Sequence, residues 1–154
     1  VTRQSALSHD LPNALKAAKL AFELYPELAP ANFGYGVVLA LTGDSVKAQE
    51  RLRKAASLNP NGPANANGLN NVVYQFAGVG MVDEAMALLR TAIALYPKEA
   101  NLHDSMGEFL LRKGDKLKAL ESYQKALELD PNFFNAAVAR EVVKKLTAEL
   151  AEKK

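Results

Sequence analysis

The sequence predicts an all-α solenoid, a row of antiparallel helix pairs ended by a C-terminal capping helix. Three observations predict it. Pro26, Pro60, Pro97 and Pro131 stand 34, 37 and 34 residues apart, a period at which helix pairs stack and each pair needs its neighbours to bury its apolar face. Within each interval, apolar and small residues recur at helical spacing on both sides of a turn, at Gly43-Asp44, Gly80 and Gly114-Asp115. Ala and Leu are abundant, Trp is absent, and 49% hydrophobic content is ample for a core. That composition suits closely packed helices better than sheets.

Residues 1–26 are expected to be the end of a repeat. Val1 to Ser8 would be the tail of one helix, and Asp10 would cap a second that runs to about Leu24 with Ala14, Ala18 and Ala21 in close-contact slots. The chain begins at Val1 rather than Met, so this phase predicts a piece of a longer protein. Residues 29–62 form the first complete repeat, with Asn32, Tyr35, Gly36 and Leu39 on its first helix and Ala48, Leu52 and Ala55 on its second. An inserted linker, 63–65, lengthens the turn-forming run Asn61-Gly62-Pro63-Ala64-Asn65 and accounts for the 37-residue interval. It is expected to leave the helices in phase.

Residues 66–99 form the second repeat, with Leu69, Val72, Val73 and Phe76, then Ala85, Leu89 and Ala92. Val73 fills a slot usually given to a small residue, which predicts a slightly wider pair. Residues 100–133 form the third repeat. Residues 133–152 make the capping helix, with Phe134, Val138, Val142, Leu146 and Leu150 as its apolar stripe and Arg140, Glu141, Lys144, Lys145, Glu149 and Glu152 opposite. One apolar and one charged face is what the end of a stack requires. The whole is expected to be one domain.

In the third repeat His103, Met106, Gly107 and Leu110, then Ala119, Tyr123, Ala126 and Pro131, follow the pattern W-x2-L-G-x2-Y, A-x3-F, P. The chain therefore resembles the tetratricopeptide repeat family, with His103 in the Trp slot and Leu110 in the Tyr slot. The resemblance implies a right-handed superhelix whose concave groove, built from the first helix of each pair, holds an extended peptide or another protein segment. Carried onto this sequence, the groove-facing positions are Phe33 and Val37 in the first repeat. In the second they are Asn67, Asn70, Asn71 and Tyr74, and in the third Asn101, Asp104, Ser105, Glu108 and Arg112.

Asn offers both a donor and an acceptor and grips a peptide backbone without demanding a side-chain type. Asn65, Asn67 and Asn101 also lie near helix starts, where capping alone would explain them. Asn70, Asn71 and Tyr74 lie mid-helix, where Asn has poor propensity and needs another reason. In the family's carboxylate clamp for chaperone C-termini, Lys and Arg hold fixed slots. Here those slots hold Phe33, Val37, Asn101 and Ser105, only Asn71 matches, and Asp104 and Glu108 would repel a terminal carboxylate.

No residue set announces a reaction, a cofactor or a metal. His103-Asp104-Ser105 are consecutive on a helix and point about 100° apart, so they cannot converge as a triad. There is no G-x-S-x-G elbow and no G-K-[ST], and the fragments Gly34-x-Gly36 and Gly78-x-Gly80 follow no predicted strand. His9 and His103 lack zinc-ligand spacing, and there is no Cys. Asp83-Glu84 open a helix, where negative charge is favoured. A net charge of +2 without a clustered basic face does not describe a nucleic-acid binder. No apolar run reaches a membrane span, and the compartment, cytoplasmic or periplasmic, stays open.

A second resemblance covers residues 66–146. GLNNVVYQFAGVGMVDEAMALLRTAI and LYPKEANLHDSMGEFLLRKGDKLKALESYQKALELDPNFFNA are similar to the C-terminal repeat segment behind bacterial serine-hydrolase domains, the beta-lactamase-like hydrolases and esterases. Their phrase N-x-Y-D-S-L-G-E stands here as Asn101-Leu102-His103-Asp104-Ser105-Met106-Gly107-Glu108, departing at His103. The resemblance implies a catalytic domain ahead of Val1, not catalysis by this piece. The expected function is therefore a non-catalytic protein- or peptide-binding scaffold. The alternative is an accessory module that packs against or orients a hydrolase domain of the same chain. Homodimerisation is the third expectation, because an unfilled groove or truncated first helix leaves apolar surface for a second copy to cover.

Overall fold

The computed structural model describes residues 10–152. The helix tail expected at Val1 to Ser8, and His9, lie outside them. The described residues form helices and no strand: α1 (Leu11–Leu24), α2 (Ala29–Leu41), α3 (Ser45–Leu58), α4 (Ala66–Gly78), α5 (Val82–Leu95), α6 (Ala100–Arg112), α7 (Lys116–Leu129) and α8 (Ala136–Ala151). After Leu95 they divide into two compact units, α1–α5 and α6–α8, where the sequence alone predicts one domain.

The three predicted turns share one device. Gly43, Gly80 and Gly114 have φ of 93°, 90° and 84°, the left-handed conformation that ends a helix and that a side chain disfavours. After two of them the next residue caps the following helix. Asp44 accepts a hydrogen bond from the Lys47 backbone N–H at 3.2 Å, and Asp115 from that of Lys118 at 3.1 Å.

In the first unit α2 is the hub, with α1, α3 and α5 packed on it. Its sequence is apolar nearly all round, as a helix covered on several sides should be. Gly36 marks the crossing with α3: a Cβ there would stand 2.8 Å from Leu52 Cγ. α1 is held through Phe22, whose ring stacks on Tyr35 at 5.3 Å and carries the Arg51 guanidinium 4.6 Å above it. Two expectations for α1 need correction. Asp10 occupies the capping position without a side-chain capping bond, and Ala14 and Ala21 are exposed, since the one face α1 buries is turned to α2.

The linker is ordered by its own bonds. Gly62 N–H donates to the Asn59 carbonyl at 2.9 Å, Asn65 Nδ2 to the Gly62 carbonyl at 2.9 Å, and Gly68 N–H to Asn65 Oδ1 at 2.8 Å. The Pro63 backbone lies so close to Gly68 that a side chain there would overlap it. Beyond the linker, α5 packs on both α2 and α3, and α4 packs on α5.

In the second unit Gly107 is the crossing point, where a Cβ would stand 2.8 Å from the Tyr123 ring. Ala119, Tyr123, Ala126, Phe133, Ala136, Ala139 and Leu146 form its core. The stripe expected on the last helix is out of phase at its start. Phe134 is 97% exposed and Val138 55%. The chain turns through Pro131–Asn135, so α8 begins at Ala136 and lays Ala136, Ala139 and Leu146 inward. Small residues near the helix start allow α8 to approach closely, and Phe133, not Phe134, plugs the turn.

The slot that the repeat pattern gives to Trp carries a polar staple. Asn32, fully buried, donates from Nδ2 to the carbonyls of Pro26 at 2.8 Å and Leu28 at 3.0 Å, and its Oδ1 accepts from Arg51 Nη1 at 3.3 Å. His103 Nε2 donates to the Pro97 carbonyl at 2.9 Å. Each side chain ties down the carbonyl of a proline six residues earlier. In the second repeat the insertion puts the slot nine residues after Pro60, and apolar Leu69 fills it, fully buried. Replacing Asn32 by Leu is expected to cost about 1–3 kcal/mol, because the part-buried Pro26 carbonyl loses the Asn32 amide and Arg51 loses its acceptor. Denaturant unfolding measures this; an unchanged midpoint would show that the staple contributes nothing.

Candidate contact faces

The expected contact residues fall on α2 and α4 in the first unit and on α6 in the second. On α6, Asp104, Glu108 and Arg112 follow one another at four-residue spacing, so they share one face. Asp104 is buried, at 8% exposure. Its Oδ2 accepts from Nδ2 of Asn135, at the head of α8, at 2.9 Å, while its Oδ1 is enclosed without a hydrogen-bond partner. Glu108 pairs with Arg112, and the Arg112 guanidinium also lies 5.6 Å from the Phe109 ring centre. Ser105 is buried and Asn101 half-buried; Glu99 holds the N-cap position of α6, without a side-chain capping bond, so Asn101 is not the cap.

Burial shifts two groups of this cluster, Asp104 and Tyr123. Removal from water raises the Asp104 carboxyl above its ordinary value, with Glu108 adding to the rise and the Asn135 bond opposing it. Tyr123, against Gly107 on the next helix, is pushed up to about 12, first by burial and then by Asp104 and Glu108, with Arg112 opposing. Its hydroxyl therefore stays protonated. Asn135 and Tyr123 are part of this site although the sequence reading did not select them. Tyr123 fills a core slot of the repeat, and Asn135 becomes a partner only through the turn at Pro131–Asn135.

On α4, Asn67, Asn71 and Tyr74 are exposed and Asn70 half-buried. The Asn70 side-chain oxygen is enclosed without a partner, as is Oδ1 of Asp104 in the same slot 34 residues on. Of the asparagines near helix starts, Asn65 is the cap, through its bond to Gly68 N–H. On α2 the structure departs from an open face. Val37 is buried at 6% exposure, since α2 is covered by three helices. Phe33 instead lines an apolar hollow of about 130 Å³ with Ala29, Pro30, Ala55, Asn59 and Pro63. Among the described residues, no three His, Asp or Glu side chains gather where they could hold a metal, and no helix is long and apolar enough to cross a membrane.

Comparison with known proteins gives the following. Residues 100–133 match the family model of the tetratricopeptide repeat, so the α6–α7 hairpin is of that type. The chain is 32% identical over 83 residues to small glutamine-rich tetratricopeptide repeat-containing protein 2 of Mycosarcoma maydis, a stretch that is 54% of this chain and 23% of that protein. The chain thus spans less than a quarter of that relative's length. Among solved structures it is similar to MamA, at 20% identity and a TM-score of 0.47, over 96% of this chain and 93% of that one. It is also similar to the first tetratricopeptide repeat domain of Spaghetti (RPAP3) bound to the HSP90 peptide SRMEEVD, at 20% identity and a TM-score of 0.49, over 80% of this chain and 93% of that one.

The raised carboxyl of Asp104 fixes the sign of a pH effect. The native state holds the proton more tightly than the unfolded chain, so between the ordinary value of 3.8 and the raised one stability falls as pH rises. Above that window the fold bears the full cost of a buried charge faced by Glu108, Arg112, Tyr123 and Asn135. Asp104→Asn is therefore expected to melt at a higher temperature than the parent at neutral pH, with the difference closing as the pH falls through the carboxyl range. A lower melting temperature at neutral pH would contradict it.

Proposed function

We propose that the chain is a non-catalytic scaffold that binds protein or extended peptide, with Asn67, Asn70, Asn71 and Tyr74 of α4 forming the contact face of the first unit. On α6 the half-buried Asn101 and Glu108 and the exposed Arg112 form that of the second, with Asp104 and Ser105 enclosed beneath them. One observation carries this reading. Along the middle of α4, Asn71 and Tyr74 are open to solvent and Asn70 has an unpartnered side-chain oxygen, although Asn is a poor helix former. A ligand that supplies a donor to Asn70 would satisfy an oxygen that the fold leaves bare. Replacing Asn70, Asn71 and Tyr74 together by Ala is expected to abolish binding of a captured partner while leaving helicity unchanged. Equal binding by the triple mutant would remove α4 from the contact face.

The chemistry also selects against one class of peptide. Phe33, Val37, Asn101 and Ser105 stand where a carboxylate clamp needs cations, and Asp104 and Glu108 add negative charge. The acidic peptide SRMEEVD, the HSP90 ligand of the RPAP3 repeat domain, is expected not to bind here. Micromolar affinity in a calorimetric titration would overturn that expectation.

A second reading is favoured by the phrase Asn101 to Glu108: an accessory module of a bacterial serine hydrolase, packed against or orienting its catalytic domain. The intact mass of the native protein separates the two. Homodimerisation is a third arrangement, for which exposed Leu20, Leu24 and Leu28 supply apolar surface.

A further inference from the structure

We propose that the second unit recognises a cationic side chain, the ammonium or guanidinium of a basic peptide, at the carboxylate of Asp104. This rests on the scaffold reading and names its partner class. Asp104 Oδ1 is enclosed with no hydrogen-bond partner, at 8% residue exposure, although its twin Oδ2 is held by Asn135. A buried acceptor left bare costs stability, and a charged one costs more, so a carboxylate in this position lacks a folding rationale. A donor that is itself positive supplies both the missing hydrogen bond and the missing counter-charge.

The neighbouring groups fit that occupant. Glu108 lies one turn along the same face and adds a second negative charge near the bare oxygen. Arg112, which pairs with Glu108, sits a further turn away with its side chain 60% exposed. An ion pair that open to water is weak and moves aside at small cost, so it forms the adjustable edge of the site. A metal ion is the wrong occupant, because no third ligand gathers there among the described residues. An anion is repelled by both acids. The same slot of α4 leaves Asn70 Oδ1 enclosed and bare as well, so each contact helix carries one acceptor that the fold does not satisfy.

The test uses pools of short capped peptides whose central residue is fixed as lysine, norleucine or glutamate, titrated into the full chain by fluorescence anisotropy. The lysine pool is expected to bind at least about tenfold more tightly than the norleucine pool, and the glutamate pool more weakly than both. Asp104→Asn should erase the lysine preference, bringing the lysine pool to the affinity of the norleucine pool, while the helical circular dichroism is kept. Equal affinity for lysine and norleucine overturns the cation assignment while leaving the scaffold reading intact. A lysine preference that survives in Asp104→Asn overturns the choice of Asp104. Failure of every pool to bind overturns this inference together with the scaffold reading.

Discussion

Two of the three helix pairs depend on one close approach, where the side chain at the crossing must be nearly absent. At Gly36 the space is taken by Leu52 and at Gly107 by Tyr123, each 2.8 Å from where a Cβ would be. With helices this near, every other core position is constrained. Ala48 and Ala55 beside Leu52, and Ala119 and Ala126 beside Tyr123, are almost fully buried and small for the same reason. The α4–α5 pair lacks this device, having fully buried Val73 at the crossing slot. Its helix α5 instead spreads its packing across α2 and α3.

How much of this was legible in the sequence follows from what each signal encodes. Turn positions were legible because a left-handed residue ending one helix and a capping Asp opening the next are local chemistry, readable at Gly43-Asp44 and Gly114-Asp115. The crossing glycines were legible because Gly36 and Gly107 hold the same slot of their repeats once the three-residue linker is allowed for. The last helix was not, since Phe133 and Phe134 offered two stripes of similar apolarity. The choice fell to Ala136 and Ala139, whose small size suits close approach to α7 and whose modest hydrophobicity gives no strong period. Val37 failed for a related reason. Periodicity reports that a residue faces a neighbour, but the number of neighbours around α2 is set by where α5 packs after the linker.

The contact faces were legible as positions and not as chemistry. Asn70, Asn71 and Tyr74 stand out from sequence because Asn is misplaced mid-helix. That Asn70 and Asp104 each end with one bare oxygen needs atomic geometry, as does the part played by Asn135.

Polar residues thus enter the buried slots of this fold in two different ways. Asn32 is enclosed and satisfied: both its amide hydrogens and its oxygen are used, and the carbonyls it holds belong to the turn that delivers its own helix. Such a residue specifies the fold, because the bonds it makes exist only in the native arrangement. Asp104 is enclosed and half-satisfied, with a raised carboxyl that records the cost of keeping its charge from water. An isosteric amide would keep the bond to Asn135 without that cost. An acid that the fold itself does not satisfy is what the proposed positive donor from another molecule would compensate.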